Sequence, residues 1–135
     1  MTLIKPKLLL AIATTFSVAF ISLPATANYC FSMINQTDSP IVARVFSESQ
    51  NQLVLSRTLT SQKDGPNSSS ASYCPIVPSP SNKFTIGFSS GNQLIRCYNT
   101  QNYSYEFTAF YGPVNFYLKY NDQEKSWSCV TEFVQ

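Results

Sequence analysis

Residues 87–91, GFSSG, match the G-x-S-x-G pattern that presents a nucleophilic serine in α/β-hydrolases. That chemistry requires a strand before the serine, a helix after it and a histidine that accepts the serine proton. A strand pattern precedes the motif, but a second strand pattern over residues 93–99 follows it, and the chain contains no histidine. Gly91-Asn92 is instead typical of a hairpin turn with positive φ. We therefore interpret the match as a coincidence.

Few residues in this sequence could support other kinds of catalysis. The absence of histidine removes the usual general base at neutral pH and the commonest metal ligand. Carboxylates can hydrolyse glycosides without histidine, and Asp122, Glu124 and Glu106 are the candidates for such a role. The simpler interpretation of Asp122 and Glu124 is a solvated hairpin tip. We predict a protein that is not an enzyme, with no catalytic residue, cofactor or metal, and a carboxylate-dependent polysaccharide hydrolase is the alternative.

Four cysteines, Cys30, Cys74, Cys97 and Cys129, are the remaining reactive side chains. An even number of cysteines in a short exported chain predicts two disulfides, which leaves no thiol nucleophile. The absence of a C-x-x-C pair argues against a zinc site. Three connectivities are open, and we favour Cys30–Cys74 with Cys97–Cys129, since these bonds would tie the N-terminal strand to a long loop and join two late strands.

Residues 1–27 have the three parts of an export signal. Lys5 and Lys7 form a positive start, an apolar run follows, and a small-x-small site ends at Ala27. The apolar run has 16 residues, fewer than the roughly 20 that a membrane-spanning helix needs. The pattern predicts a signal peptide that is cleaved after Ala27, and no transmembrane segment remains in the predicted mature chain.

The predicted mature chain, residues 28–135, has the length of one domain. A lipoprotein signal needs a small residue directly before the modified cysteine, whereas bulky Tyr29 precedes Cys30. We therefore predict a secreted or periplasmic protein that is not a lipoprotein.

The charge of the predicted mature chain excludes several partners. Of the nine Lys and Arg residues, two lie in the leader, so seven basic residues remain against seven acidic ones. A chain with zero net charge and no basic run lacks the electrostatic footprint of a protein that binds nucleic acid or an anionic membrane. We predict neither activity.

The apolar residues of the predicted mature chain recur with a period of two, which predicts β-strands. These strands must position the cysteines and the other candidate side chains. The expected fold is a small antiparallel β-sandwich of about eight strands, with a small β-barrel as the alternative. The Ser-, Pro- and Asn-rich stretch 61–82 interrupts the pattern and predicts a surface loop pinned by Cys74. The predicted strands cover residues 29–35, 40–47, 52–60, 83–88, 93–99, 103–111, 114–120 and 127–133.

The alternation also predicts a binding surface. If Cys97 and Cys129 point inward, a mixed set of rings and cations points outward, and Phe110 and Tyr117 flank the turn at 111–113. Such a surface suits a protein partner or a glycan. We predict an exported interaction module that binds a protein or a cell-surface glycan, and a membrane-active or self-assembling β-protein is a further alternative. The predicted surface residues are Arg96, Tyr98, Phe110, Tyr117 and Lys119.

Overall fold

A computed structural model describes residues 29–134 and shows two four-stranded sheets packed face to face. Sheet A has the order β4-β1-β7-β8, and sheet B has the order β3-β2-β5-β6. The predicted β-sandwich is confirmed, and the sheets do not close into a barrel. The predicted leader, residues 1–27, lies outside the described residues. The strands are β1 (Phe31–Asn35), β2 (Ile41–Ser47), β3 (Gln52–Leu59), β4 (Ser70–Tyr73), β5 (Phe84–Ser90), β6 (Gln93–Arg96), β7 (Val114–Asn121) and β8 (Ser126–Phe133).

Alternating side chains of the central strands form the core between the sheets. In β1, Phe31 and Met33 are fully buried, whereas Ser32 between them is only half-buried. Successive side chains of a strand point to opposite faces, so each apolar series contributes to one core. Phe31 packs against Phe84 of sheet B and against Phe116 of its own sheet, with ring centroids 5.4 and 5.9 Å apart. The hydrophobic period of two therefore specifies which face of each strand is buried.

One strand pair is parallel. β1 runs parallel to β7, with Phe31 opposite Val114, and every other pair of neighbouring strands is antiparallel. After β1 the chain forms β2 and β3 of sheet B, returns to sheet A as β4, forms β5 and β6 of sheet B, and completes sheet A with β7 and β8. Local hairpins therefore account for β2–β3, β5–β6 and β7–β8, and the centre of sheet A depends on a contact between distant segments.

The predicted strand at 103–111 is wrong. This segment is irregular and pairs with its surroundings only through isolated bridges, Phe84 with Phe107 and Asn99 with Ser104. The buried Asn99 side chain donates to the Glu106 carbonyl at 2.9 Å and accepts from the Gln101 amide at 2.9 Å. Such side chain–backbone hydrogen bonds compete with a strand ladder. The alternation still places Phe107 in the core.

The predicted loop at 61–82 contains regular structure that the sequence pattern did not indicate. A 3-10 turn at Gln62–Asp64 and one helical turn at Pro66–Ser69 lead into β4, which pairs with β1 at the edge of sheet A. The sequence of β4, SASY, has little apolar surface, so its strand conformation depends on the partner strand rather than on its own hydrophobic pattern. β4 replaces the strand predicted at 103–111, which is why eight strands remain.

Both disulfides have the favoured connectivity, Cys30–Cys74 and Cys97–Cys129. The first joins the residues next to β1 and β4, which are neighbours in sheet A. The second joins the end of β6 in sheet B to β8 in sheet A, so it links the two sheets at one side. Two disulfides are consistent with an extracellular protein.

Within residues 29–134, no helix is long and apolar enough to cross a membrane.

Candidate functional site

The outward positions of the two sheets form two surfaces with different chemistry. Residues on neighbouring strands that lie opposite one another share a face, so the register identifies each set. We call the outward surface of β2, β5, β6 and the start of β3 the sheet B face, which comprises Val42, Arg44, Phe46, Leu53, Thr85, Gly87, Ser89, Leu94 and Arg96. We call the outward surface of β1, β7 and β8 the sheet A face, which comprises Ser32, Ile34, Asn115, Tyr117, Lys119, Ser128, Val130 and Glu132.

Two arginines flank a glycine on the sheet B face. Gly87 of β5 lies opposite Arg44 of β2 on one side and opposite Arg96 of β6 on the other. Since neighbouring strands are about 4.8 Å apart, the two arginine backbones are roughly 10 Å apart across the glycine. The missing side chain leaves a shallow depression of about 130 Å³. The arrangement therefore places one arginine residue on each side of the depression.

Contacts within the face orient both arginines. Arg44 Nε donates to Ser89 Oγ at 2.9 Å, which leaves the terminal nitrogens of its guanidinium available as donors. The Arg96 guanidinium carbon lies 4.0 Å from the ring centroid of Tyr105, and Tyr98 packs edge-on against the same ring at 5.2 Å. A cation over an aromatic face is stabilised by the ring quadrupole. Because the side chains are already ordered, less conformational entropy is lost when a ligand binds.

The charges of the arginines are not neutralised by acidic side chains. The ion pairs among residues 29–134 are Lys63–Asp38 at 3.9 Å and Lys83–Glu106 at 3.8 Å, and neither includes an arginine. Guanidinium donors match the planar geometry of a carboxylate or phosphate. Among the described residues, the sheet B face therefore carries two guanidinium groups that form no ion pair.

Apolar side chains border the arginine pair. Leu53 and Leu94 expose 44% and 56% of their surface, although both belong to strands whose opposite face contacts the core. Phe46 lies beside them, opposite Leu53 on β3. Arginine and aromatic side chains are enriched at interface centres, and the exposed leucines beside them add apolar surface from which a partner can exclude water.

The sheet A face differs because its polar groups bind one another. Asn115 Nδ2 and the Tyr117 hydroxyl both donate to Glu132 Oε1 at 2.9 Å, and the hydroxyls of Ser32 and Ser72 lie 3.2 Å apart. The hydrogen bond from Asn115, supported by that from Tyr117, lowers the pKa of Glu132. The hydrogen bond to Glu132 and partial burial raise the pKa of Tyr117. These donors and acceptors are already used within the face.

The five predicted surface residues lie in three different places. Arg96 and Tyr98 meet at the β6 edge, where both approach Tyr105. Tyr117 and Lys119 lie on the sheet A face, opposite Val130 and Ser128. Phe110 packs against Tyr111, with centroids 5.0 Å apart, in the irregular segment.

Sequence reasoning missed Arg44 and Gly87 as parts of a site. The alternation in β2 separates Arg44 from Ile41, Ala43 and Val45, but no sequence pattern specifies which residue of β5 or β6 lies next to it. That information belongs to the strand register.

The residues first considered for catalysis have structural contacts. Ser89 of the GFSSG motif is bound by Arg44, and the motif leads through Gly91, at φ 59°, into β6 as predicted. Glu106 lies near Lys83. Asn121 Oδ1 accepts from the amides of Gln123 and Glu124 and so shapes the β7–β8 turn. Within residues 29–134, no three His, Cys, Asp or Glu side chains are grouped as a metal site.

The sheet B face is the candidate interaction surface of this protein. It combines two oriented cations, a glycine gap and an apolar border, whereas the sheet A face carries a closed set of hydrogen bonds. In comparisons with known proteins, no family model, no curated protein and no solved structure matches this chain.

Proposed function

We propose that this protein is an exported, non-enzymatic interaction module that binds an acidic partner protein through the sheet B face. The observation that carries the proposal is the row Arg44–Gly87–Arg96, in which two arginines that form no ion pair within residues 29–134 flank a depression. An aspartate or glutamate of the partner would place its carboxylate over Gly87 and accept hydrogen bonds from both arginines. Export is supported by the signal pattern of residues 1–27 and by the two disulfides.

The composition of the face favours a protein over a glycan at this surface. The outward positions of β2, β5 and β6 carry no carboxylate or carboxamide. Guanidiniums only donate hydrogen bonds, so sugar hydroxyls would meet few acceptors here. Exposed Leu53 and Leu94, together with Phe46, instead match the apolar side chains of a protein interface.

The proposed contact derives its specificity from desolvation. The attraction between a carboxylate and two guanidiniums offsets the desolvation penalty only when water is excluded around the charges. The apolar border provides that exclusion when a partner covers it. Removal of one member of such a buried charge pair typically costs 2–5 kcal/mol of binding free energy, or roughly 30-fold to several thousand-fold in affinity.

Site-specific photocrosslinking tests the proposal in cells that export the protein. A photoreactive phenylalanine analogue replaces Leu94 on the sheet B face or, as the matched control, Val130 on the sheet A face. Both positions are exposed apolar residues on strands. We expect a partner to crosslink from position 94 and not from position 130. The double substitution Arg44→Ala and Arg96→Ala should remove the crosslink, while Lys119→Ala should leave it unchanged.

Three results would contradict the proposal. Crosslinking only from position 130 would show that the partner binds the sheet A face instead of the sheet B face. Crosslinking of the protein to itself would show that the bound partner is a second copy of this chain and not a different, acidic protein. A crosslink that persists in the double arginine variant would show that the guanidiniums do not hold the partner.

A further inference from the structure

A second site lies at one end of the sandwich, in a cleft between the turn at 36–39 and the β7–β8 hairpin. The cleft has a volume of about 520 Å³, within the range of about 300–1,000 Å³ that is typical of small-molecule sites. Gln36 and Asp38 line one side, and Tyr120, Asp122 and Trp127 line the other. None of these residues belongs to the sheet B face.

The turn that forms one wall is held by a buried asparagine. Asn35 Nδ2 donates to the carbonyls of Ser39 at 2.8 Å and Thr60 at 2.9 Å, and its Oδ1 accepts from the Thr37 hydroxyl at 2.7 Å. The Gln36 amide also donates to the Leu118 carbonyl of β7 at 2.9 Å. These bonds fix the wall before any ligand arrives, which lowers the entropy cost of binding.

Two aromatic rings form the opposite wall. Tyr120 continues the inward series of β7 beyond the last core residue, Leu118, and lies opposite Trp127 of β8. The ring centroids are 4.8 Å apart and the planes meet at 60°, so the rings form a corner. Tyr120 is 36% exposed and Trp127 is half-buried. A corner of this kind offers aromatic surface to a ligand with polarised C–H groups.

Polar side chains in the cleft provide both donors and acceptors. Asp122 is an acceptor, and the carboxamides of Gln36 and Gln62 each supply a donor and an acceptor. Among residues 29–134, these three side chains make no hydrogen bond with the protein. Asp38 lies 3.9 Å from Lys63, which partly balances its charge.

We propose that this cleft binds one or two rings of a neutral saccharide. The C–H face of a sugar ring would pack on Tyr120 and Trp127, and its hydroxyls would donate to Asp122 and accept from the glutamine amides. An acidic sugar would be repelled by the two carboxylates. A cation such as choline would use the rings and carboxylates but would leave the amide donors without acceptors. This inference is independent of the proposed protein partner, because the two surfaces share no residue.

The fluorescence of Trp127 provides a direct test, since it is the only tryptophan of the chain. The oxidised protein is titrated with neutral trisaccharides built from glucose, galactose, mannose or N-acetylglucosamine, and separately with trigalacturonate and choline. We expect at least one neutral trisaccharide to give a saturable change in emission, and trigalacturonate and choline to give none. Gln62→Ala removes a hydrogen bond to the sugar, and Asp122→Asn replaces a charge-assisted hydrogen bond with a weaker neutral one, so each should raise the dissociation constant about tenfold.

Matched controls separate this site from the sheet B face. Gln101→Ala removes an exposed amide of another segment and should leave the titration unchanged. Arg44→Ala with Arg96→Ala should also leave it unchanged, even though it abolishes the proposed protein contact. Absence of a saturable change with every neutral trisaccharide, saturation by choline or trigalacturonate alone, or equal affinity in Asp122→Asn would each overturn the inference.

Discussion

The two outer faces of the sandwich use polar side chains in opposite ways. On the sheet A face, Asn115 and Tyr117 direct their donors at Glu132, so a charged group is bound by its own neighbours. On the sheet B face, Arg44 and Arg96 lie on either side of Gly87, and neither forms an ion pair with an acidic side chain of the described part of the chain. The two faces thus differ in whether their hydrogen-bonding capacity is already used.

This difference favours the sheet B face over the sheet A face as the surface for a partner protein. A partner on the sheet A face would have to replace hydrogen bonds that already exist, and the net gain from such an exchange is small. A carboxylate on the sheet B face would form bonds that the free protein lacks. Net charge alone does not reveal this, since the predicted mature chain is neutral overall. The arrangement of charges, rather than their sum, distinguishes the faces.

Removal of each disulfide should give the largest effect and should distinguish the faces. Cys97→Ala with Cys129→Ala and Cys30→Ala with Cys74→Ala should each lower the free energy of unfolding by about 3–4 kcal/mol, because the closed loops span similar separations of 32 and 44 residues. Only loss of Cys97–Cys129 should also weaken partner binding, since Cys97 adjoins Arg96. Urea unfolding and partner affinity, measured on both variants, check this expectation.

The contacts of β8 support that asymmetry. Thr131 Oγ1 lies 3.4 Å from the Tyr98 carbonyl, so β8 also holds the segment that follows Arg96. Cys30–Cys74, in contrast, links two strands within sheet A. If both variants lose the same affinity, the disulfides act only on global stability and the distinction fails.

Gly87→Ala should have an intermediate effect that is specific to the sheet B face. A Cβ at this position would lie 3.3 Å from both the Ile95 carbonyl oxygen and Leu94 Cδ1, which must give way slightly, and it would add a methyl group to the outward surface between Arg44 and Arg96. We expect about a tenfold loss of partner affinity. The free energy of unfolding should change by less than about 1 kcal/mol. Alanine lowers the conformational entropy of the unfolded chain, and this gain offsets the cost of the close contacts in the folded protein. Calorimetric titration and urea unfolding measure the two quantities.

Ser32→Thr is the matched control for Gly87→Ala. It adds one methyl group to an outward position of the sheet A face and should leave affinity unchanged. Unchanged affinity in Gly87→Ala would show that the gap takes no part in binding.

The smallest effect concerns pH and the sheet A face. The pKa of Glu132 is lower than its ordinary value of 4.5 in the folded protein, so its hydrogen bonds stabilise the fold above about pH 4.5. This contribution is lost as the pH falls through the lowered pKa. Asn115→Ala should raise the pKa of Glu132 and reduce the acid-induced loss of stability, as measured by NMR titration and by unfolding at pH 6 and pH 3. Arg96→Ala should change neither, and an unchanged Glu132 pKa in Asn115→Ala would contradict the assignment.

The fold was predictable where side-chain alternation reports directly on burial. Phe31, Met33 and Phe116 are buried as the period of two requires, and the sandwich follows from several such strands. The same reasoning failed at 103–111, because hydrogen bonds from Asn99 hold that segment in an irregular path. It also missed β4, whose strand conformation depends on β1 and not on its own apolar residues.

The fold class, the two faces of most strands and the outward direction of Arg96 were accessible from the sequence, because alternation is a local property of the chain. The number of cysteines predicted two disulfides and left three connectivities open, and the structure selects Cys30–Cys74 with Cys97–Cys129. Only the tertiary structure decided that Arg44, Gly87 and Arg96 form one row, and that Trp127 lies across a cleft from Gln36. Register between distant strands brings these residues together, and register arises from the packing of the whole sandwich.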